Sequence, residues 1–214
     1  MATEEERRIT REGNPAKPQG EAGAQMLARM NDSHAAVTEW GLSHLTIATD
    51  AAVLDIGCGG GATLRRLAAR APRGHITGLD YSEVSVACSA AFNADTIAAG
   101  RMEVVQGSVE SLPFAEESFD IITTVESFYF WPQPQENLKE VHRVLKTGGT
   151  FLLIADIHED GTLSPETRDN IERYHLFNPT KEQFAALFRA AGFTDIALHA
   201  KDGEHWICVI GHRC

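Results

Sequence analysis

A glycine-dense stretch from Ala52 to Leu64, AVLDIGCGGGATL, constrains the fold of this chain more than any other segment. Its pattern predicts a short buried strand, then a tight turn, then a helix that begins at about Ala62. Gly57 and the glycines after it lack a Cβ atom, so the turn accepts positive φ angles and a ligand can touch the backbone. The helix begins with unpaired N–H groups and a partial positive charge. Together these features predict a loop that binds a nucleotide-type ligand.

The glycine spacing alone leaves the ligand open. Gly57, Gly59 and Ala62 also satisfy the G-x-G-x-x-G/A fingerprint of dinucleotide-binding proteins, so an NAD-dependent oxidoreductase is one alternative. Asp55 argues against it, because a carboxylate two residues before the first glycine would repel a pyrophosphate. A ligand with a free ammonium group would instead be stabilised by this carboxylate.

Further segments narrow the choice. After DIGCGGG come GLDYS, GSVESLPF, FDIITTVES and EVHRVLKTGGTFLL. This series resembles the motifs of class I S-adenosylmethionine (SAM) methyltransferases, and most closely the small-molecule branch that includes the ubiquinone/menaquinone biosynthesis methyltransferases. The resemblance covers roughly residues 52 to 157. It implies an enzyme with SAM as cofactor that moves the methyl group to a small-molecule acceptor by in-line displacement. A non-catalytic SAM-binding protein is a second alternative.

The resemblance assigns the first cofactor contacts to the ends of two predicted strands. It implies that Asp55 takes the ammonium side of SAM, and that Gly57, Cys58 and Gly59 supply the loop backbone. Asp80 ends the segment HITGLD, where its carboxylate would accept both ribose hydroxyls. The same acidic residue would serve NAD, so Asp80 alone does not discriminate between the cofactors.

The remaining cofactor contacts are expected after the next two strands. Tyr81 is expected along the adenine or ribose, and Val109 is expected to offer its backbone N–H to the adenine. Ser108 stands where the resembled family commonly has an acidic residue, which predicts a weaker adenine contact because a hydroxyl lacks charge assistance. Val125 and Glu126 end the fourth strand and are expected to face the methionine part of SAM.

Methyl transfer requires mainly that the nucleophile be aligned with the methyl group. Glu126 is the first candidate for a general base, although contact with the ammonium group of SAM is an equal alternative. Tyr129 and the other rings of the SFYFWP segment are expected beside the methyl group. Asp156 and His158 are weaker candidates for the base. No acidic cluster is visible along the chain, so no metal site is predicted.

Alternating apolar runs and helical segments predict an α/β fold. After the first strand come HITGLD, MEVVQG, FDIITTV and TFLLIADI, with a long helix predicted from Ser82 to Ala99. The last two segments, FTDIALHA and EHWICVIGH, predict an antiparallel pair. The resemblance then implies a Rossmann-like, seven-stranded, mostly parallel sheet with helices on both faces and the last strand antiparallel.

Some fifty residues precede the first strand. Residues 1 to about 20 are polar and are expected to be mobile or to order only against the rest of the chain, and two helices are predicted at 21–30 and 33–45. The resemblance implies a tail and helical lid over residues 1–50 and a methyltransferase domain over residues 51–214. His34 and Trp40 are the lid residues expected near the site, with simple packing of Trp40 as an even alternative.

The composition limits the partners. The formal net charge of -11 disfavours a nucleic-acid partner, which requires clustered Lys and Arg. The charged start EEERR does not match a signal peptide, and no apolar run approaches membrane-spanning length. The sequence therefore predicts a cytoplasmic protein that acts on a small molecule without a nucleic-acid or membrane partner, and it leaves the oligomeric state open.

Overall fold

Seven strands form one mixed sheet in the computed structural model, which describes residues 3–214. The strands are β1 Ala52–Ile56, β2 His75–Asp80, β3 Met102–Gln106, β4 Phe119–Val125, β5 Leu145–Ala155, β6 Thr194–Ala200 and β7 Ile207–His212. Their order across the sheet is β3-β2-β1-β4-β5-β7-β6. Strand β7 runs antiparallel to both of its neighbours, and the other pairings between described strands are parallel. The predicted Rossmann-like sheet with an antiparallel last strand is confirmed.

Helices cover both faces of the sheet. They are α1 Glu4–Gly13, α2 Gly20–Ser33, α3 Ala35–Leu42, α4 Ala62–Arg70, α5 Glu83–Phe92, α6 Ala94–Ala98, α7 Pro134–Val144, α8 Pro165–Arg173 and α9 Lys181–Ala190, with a short 3-10 helix at Phe128–Phe130. No helix within residues 3–214 is long and apolar enough to cross a membrane.

The strand order reverses at β1, which pairs with β2 on one side and β4 on the other. Leu54 and Ile122 face one hydrophobic core, whereas Val53 and Ile121 face the other. Because successive side chains of a strand point to opposite faces, a sheet with two buried faces requires nearly continuous apolar runs. The reversal opens a crevice at the carboxyl ends of these strands, where open α/β sheets bind ligands.

Two predicted element boundaries are wrong. The helix predicted from Ser82 to Ala99 is interrupted at Asn93, whose side-chain amide donates to the carbonyls of Gly61 and Ser89, both at 3.0 Å. Strand β5 begins at Leu145 rather than at Thr150, where the segment TFLLIADI begins, because Leu145 is fully buried and pairs with Phe119 in the sheet, and helix α7 therefore ends at Val144.

The N-terminal segment is ordered by contacts with the rest of the chain. Helix α1 begins with a capping box between Thr3 and Glu6. Arg29 of α2 donates to the carbonyl of Glu6 at 3.1 Å and to the hydroxyl of Thr10 at 2.6 Å, which joins the two helices. Residues 1 and 2, which belong to the predicted tail, lie outside the described residues.

Candidate functional site

A cavity of about 400 Å³ lies at the carboxyl ends of β1, β2 and β4. Segments from residues 15 to 38 border it on the N-terminal side. Most of the predicted site residues line the cavity: Gly57, Cys58, Gly59, Asp80, Tyr81, Ser108, Val109, Val125 and Glu126. Asp55 and Tyr129 are not among the lining residues. The fold therefore brings together residues from four separate strand ends at one place.

Backbone contacts hold the glycine loop in position. The N–H groups of Gly57 and Cys58 donate to the carbonyl of Leu79 at 2.8 and 3.1 Å, which fixes the loop to β2. Gly57 has a φ of +76°, and a Cβ atom there would lie 2.5 Å from the Oγ of Ser127 after β4. Both the conformation and the close approach therefore require glycine at this position.

Asp55 lies beneath the loop rather than at the cavity surface. Its side chain is buried and accepts a hydrogen bond from the hydroxyl of Thr123 at 2.6 Å. Burial raises the pKa of the Asp55 carboxyl to about 7, against the opposing effect of the Thr123 hydrogen bond. Its predicted contact with an ammonium group stays a prediction, and it would have to run through an intervening group such as water.

Asp80 lines the cavity and also organises the backbone around it. One carboxylate oxygen accepts the N–H of Gly59 at 3.0 Å, and the other accepts the N–H of Ser82 at 2.9 Å. Burial raises the pKa of the Asp80 carboxyl, and these two hydrogen bonds oppose that rise. A carboxylate oxygen accepts more than one hydrogen bond, so the group retains capacity for a diol.

The end of β3 supplies a carboxylate that sequence reasoning missed. The hydroxyl of Ser108 lies 3.2 Å from the Oε2 of Glu110 and accepts the N–H of Glu110, also at 3.2 Å. Glu110 lines the cavity with Ser108 and Val109. Position 108 has no carboxylate, but Glu110 supplies one two residues later. The segment GSVE contains this residue, although only the turn shows that it reaches the cavity.

Two hydrogen bonds tie the N-terminal segment to the end of β2. The Tyr81 hydroxyl donates to the carbonyl of Ala16, and the Ser82 hydroxyl donates to the carbonyl of Pro18. The ammonium group of Lys17 lies 5.2 Å from the centre of the Tyr81 ring. These contacts hold the segment that borders the cavity against the predicted adenosine side.

Asn31 of α2 connects the N-terminal helices to the glycine loop. Its amide nitrogen donates to the carbonyl of Gly60 at 3.0 Å, and its amide oxygen accepts the N–H of Ala62 at 3.4 Å. The N-cap residue of α4, Gly61, has no side chain to cap the helix, so Asn31 performs this role from a distant segment. No local sequence signal marks Asn31 for this contact.

Four side chains form what we call the acidic cluster: His34, Glu126, Tyr129 and Asp156. The hydroxyl of Tyr129 lies 2.9 Å from the Oε2 of Glu126 and 2.9 Å from the Oδ1 of Asp156, and it accepts the N–H of Asp156 at 3.1 Å. A phenol has one hydrogen to donate, so it satisfies only one of the two carboxyl groups as a donor. The other carboxyl can form a hydrogen bond with the Tyr129 oxygen only when it carries a proton and donates it.

Burial and the neighbouring negative charge explain this sharing. Burial, reinforced by Asp156, raises the pKa of the Glu126 carboxyl well above its usual range. The same two causes raise the pKa of the Tyr129 hydroxyl. The Oε1 of Glu126 is shielded from solvent and has no hydrogen-bond partner among the described residues. The cluster therefore contains a carboxyl oxygen that the described residues leave without a hydrogen bond.

His34 reaches the cluster from the junction of α2 and α3 and also lines the cavity. One ligand atom each from His34, Glu126 and Asp156 lie within 4.8 Å of one another. Burial lowers the pKa of the His34 imidazole, which favours its neutral form. No acidic cluster is visible in the sequence, but the fold assembles this one from three distant segments.

The other predicted aromatic and histidine residues separate into two groups. Phe130 and Trp131 line the cavity. Phe128 is buried in the core, where its ring centre lies 5.6 Å from that of Phe184. Trp40 packs against Trp206 at 5.9 Å. His158 is buried, bonds the carbonyl of His205 at 2.7 Å and does not line the cavity, so the geometry does not favour it as a base.

Comparison with known proteins identifies a family. A family described as a methyltransferase domain matches residues 54–153. The chain is 30% identical to a ubiquinone/menaquinone biosynthesis C-methyltransferase of Methylobacterium nodulans, over 74% of this chain and 71% of the relative. It is also 30% identical to a chloroplastic 2-methyl-6-phytyl-1,4-hydroquinone methyltransferase of Oryza sativa subsp. japonica, over 72% of this chain. That alignment spans 44% of the rice protein, so the chain spans less than half the length of this relative.

Solved structures share the fold at low sequence identity. A SAM-dependent methyltransferase of Aquifex aeolicus aligns with a TM-score of 0.72 at 17% identity, over 89% of this chain and 98% of that one. Phosphoethanolamine N-methyltransferase 2 of Haemonchus contortus, solved with SAM, aligns with a TM-score of 0.76 at 14% identity, over 89% of this chain and 57% of that one. At these identities the likeness shows the fold alone.

Proposed function

This chain belongs to the class I SAM-dependent methyltransferases, and we propose that it transfers the methyl group of SAM to a small aromatic acceptor. Family membership confirms SAM as the predicted cofactor, so the alternative of an NAD-dependent oxidoreductase is no longer needed. The observation that carries the proposal is a cavity in which the glycine loop and the Asp80 carboxylate meet His34 and Glu126 of the acidic cluster.

The residues around the cavity fit SAM. Asp80 would accept hydrogen bonds from the ribose hydroxyls, and the N–H of Val109 would meet the adenine, with the carboxylate of Glu110 beside it. The buried Ser85 also lines the cavity, and its hydroxyl interacts with the Asp80 carboxylate. When bound, SAM supplies an electrophilic methyl group on a sulfonium centre.

Glu126 and Tyr129 are the residues that we assign to the methyl-transfer step. With one shared proton, the Glu126 and Asp156 carboxyls retain capacity for a second proton, which an acceptor hydroxyl would provide. Tyr129 holds the two carboxyls in a fixed geometry through its hydroxyl. Orientation of the acceptor beside Glu126 would supply much of the rate.

An aromatic, hydroquinone-like acceptor is the class that we favour. Phe130 and Trp131 present rings to the cavity, and Leu27 and Met30 of α2 present apolar side chains. One relative is named as a hydroquinone methyltransferase and another is named for quinone biosynthesis, which supports the same class. The cavity of about 400 Å³ would hold SAM as well as the acceptor, which leaves little room for a large substituent on the acceptor. We therefore expect acceptors with a compact ring and a short substituent to be methylated best.

The lid and the location remain parts of the proposal. Residues 1–50 would act as a tail and lid over the domain of residues 51–214, which is supported by the positions of Pro15, Asn31 and His34 at the cavity. We also propose a cytoplasmic location and no nucleic-acid partner, in line with the acidic composition. Cell fractionation and a nucleic-acid binding assay would test these two statements.

Calorimetric titration of the pure chain with SAM, S-adenosylhomocysteine and NAD tests the cofactor. We expect saturable binding of both adenosyl ligands and none of NAD. Binding of NAD alone would refute the proposal.

Turnover separates an enzyme from a non-catalytic SAM-binding protein. We would incubate the chain with radiolabelled SAM and a series of hydroquinones that differ in the length of the ring substituent. Label should appear in the compact hydroquinones, with less transfer as the substituent grows. Tight SAM binding with no transfer to any of these acceptors would contradict the hydroquinone assignment.

A further inference from the structure

We propose that His34, Glu126 and Asp156 form a binding site for one divalent transition-metal ion, at the acceptor end of the cavity. Their candidate ligand atoms, one imidazole nitrogen and two carboxylate oxygens, lie within 4.8 Å of one another. A mixed set of imidazole and carboxylate ligands is typical of sites for manganese, iron, cobalt and zinc ions. The three residues come from the α2–α3 junction and the ends of β4 and β5, so only the folded chain forms the set.

The hydrogen bonds of the cluster leave a place for a cation. The Oε1 of Glu126 is buried without a partner, while its Oε2 bonds the hydroxyl of Tyr129. None of the ion pairs found within residues 3–214 includes Glu126 or Asp156. The Glu126 and Asp156 carboxyls are half-buried, and the basic group beside them is the His34 imidazole, so a proton, a metal ion or a cationic ligand would stabilise the pair.

The surrounding groups suit a metal ion in particular. His34 brings a nitrogen atom that can bind a metal ion, and its side chain forms no hydrogen bond that caps α3. The hydroxyl of Tyr129 lies 2.9 Å from an oxygen of each carboxyl and donates its hydrogen to one of them, and hydrogen bonds of this kind orient metal ligands. Three protein ligands leave further coordination positions, and these would face the cavity that His34 and Glu126 line.

This site would extend the proposed function. Oxygen atoms of an acceptor could occupy the open positions, and a bound metal ion would lower the pKa of an acceptor hydroxyl. Binding of the metal ion itself does not depend on the proposed methyl transfer, so the two statements can fail separately. His34 would also join the N-terminal helices to the sheet whenever the ion is bound.

Titration of the full chain with Mn²⁺, after removal of metal with EDTA and without SAM, tests the proposal. We expect a single saturable site in the wild-type chain. Glu126→Gln and Asp156→Asn each remove a ligand and should weaken Mn²⁺ binding by at least about 100-fold, and Tyr129→Phe should weaken it by about 10-fold. Asp160→Asn is the matched control, because Asp160 also pairs with a histidine, at 2.7 Å from His205, but lies outside the cluster. It should bind Mn²⁺ like the wild type.

Titration of the same metal-free samples with SAM separates the possible failures, and circular dichroism would verify that each variant is folded. If the folded wild-type chain binds SAM but neither Mn²⁺ nor Zn²⁺, the metal site is refuted and the proposed function stands. If both ligand variants retain wild-type Mn²⁺ affinity, the ion binds elsewhere and the assignment is refuted. If Mn²⁺ does not bind but Glu126→Gln weakens SAM binding, the cluster pairs with the cationic cofactor, and the metal site is again refuted.

Discussion

The two ends of the cavity are built in different ways. At the glycine-loop end, the backbone N–H groups of Gly57, Cys58 and Gly59 are fixed by Leu79 and by the Asp80 carboxylate. At the other end, the acidic cluster consists of side chains from separate segments, and the Oε1 of Glu126 has no described partner. At one end these loop N–H groups are paired, and at the other end a carboxyl oxygen has no partner among the described residues.

This difference indicates that the backbone of the loop fixes the cofactor, whereas side chains from separate segments determine the acceptor. Backbone hydrogen bonds place the loop with little dependence on side-chain conformation, which suits a cofactor with a constant shape. Side chains from the N-terminal helices, β4 and β5 are free to differ without changing the sheet, which suits an acceptor that differs between proteins of one fold. The predictions that follow test this contrast, from the largest expected effect to the smallest.

Gly57→Ala should damage the glycine-loop end most. An alanine at this position would have to keep a backbone φ of +76°, and its Cβ atom would lie 2.5 Å from the Ser127 side chain. We therefore expect a loss of about 3 kcal/mol in unfolding free energy. SAM binding should fall below detection because the loop would move. Urea unfolding and calorimetry measure the two effects.

Gly203→Ala is the matched control, since Gly203 has a φ of +77° but nothing within 4 Å of an added Cβ atom. It should cost about 1 kcal/mol and leave SAM binding intact. Equal costs for the two substitutions would mean that the contact with Ser127 does not constrain the loop.

Asp80→Ala tests whether the paired carboxylate also serves the cofactor. The variant loses the acceptor for the N–H of Gly59 and the proposed acceptor for the ribose, so SAM affinity should fall by about 100-fold. Asp120→Ala is the control, because Asp120 also accepts a strand N–H, from Ala52 at 2.8 Å, but lies away from the cavity. An unchanged SAM affinity in a folded Asp80→Ala variant would refute the ribose assignment.

Asp55→Asn tests the buried carboxyl beneath the loop through pH dependence. The pKa of Asp55 is about 7 in the folded chain, mainly because of burial, and about 3.9 in an unfolded chain. Between these values the unfolded state ionises and the folded state does not, so the stabilising contribution of Asp55 falls as pH rises. The fall should be about 1.4 kcal/mol per pH unit, or about 2 kcal/mol between about pH 5.5 and about pH 7.

The measurement is urea unfolding of both chains across this pH range. As pH rises, the unfolding free energy of the wild-type chain should fall relative to that of Asp55→Asn. Two curves that stay parallel would show that Asp55 is ionised in the folded chain throughout this range.

Asn31→Ala tests the connection between the N-terminal helices and the loop. Loss of the bonds to Gly60 and Ala62 should lower SAM affinity by about 10-fold, because the loop and the start of α4 lose an external support. Gln25→Ala in the same helix removes only an exposed contact with Glu21 and should have no effect. If both variants bind SAM like the wild type, the glycine-loop end does not depend on the N-terminal helices.

Much of the glycine-loop end could be predicted because its signals are local. The bounds of β1, β2 and β4 and the start of α4 follow from apolar runs and glycine positions. The break at Asn93 could not be predicted, because its cause is the carbonyl of Gly61 on a distant loop. The same holds for Asn31, whose partners lie on another element.

The sequence by itself determined the family, the order of strands and helices, and the residues at the strand ends that face the cavity. These follow from periodicity, glycine placement and motif order, all of which act over a few residues. Only the tertiary structure decided that Asp55 lies under the loop and that Tyr129 bridges two carboxyls. It also decided that His34 meets Glu126 and Asp156. The physical reason is that burial, shared protons and converging ligands depend on distances between segments far apart in the chain.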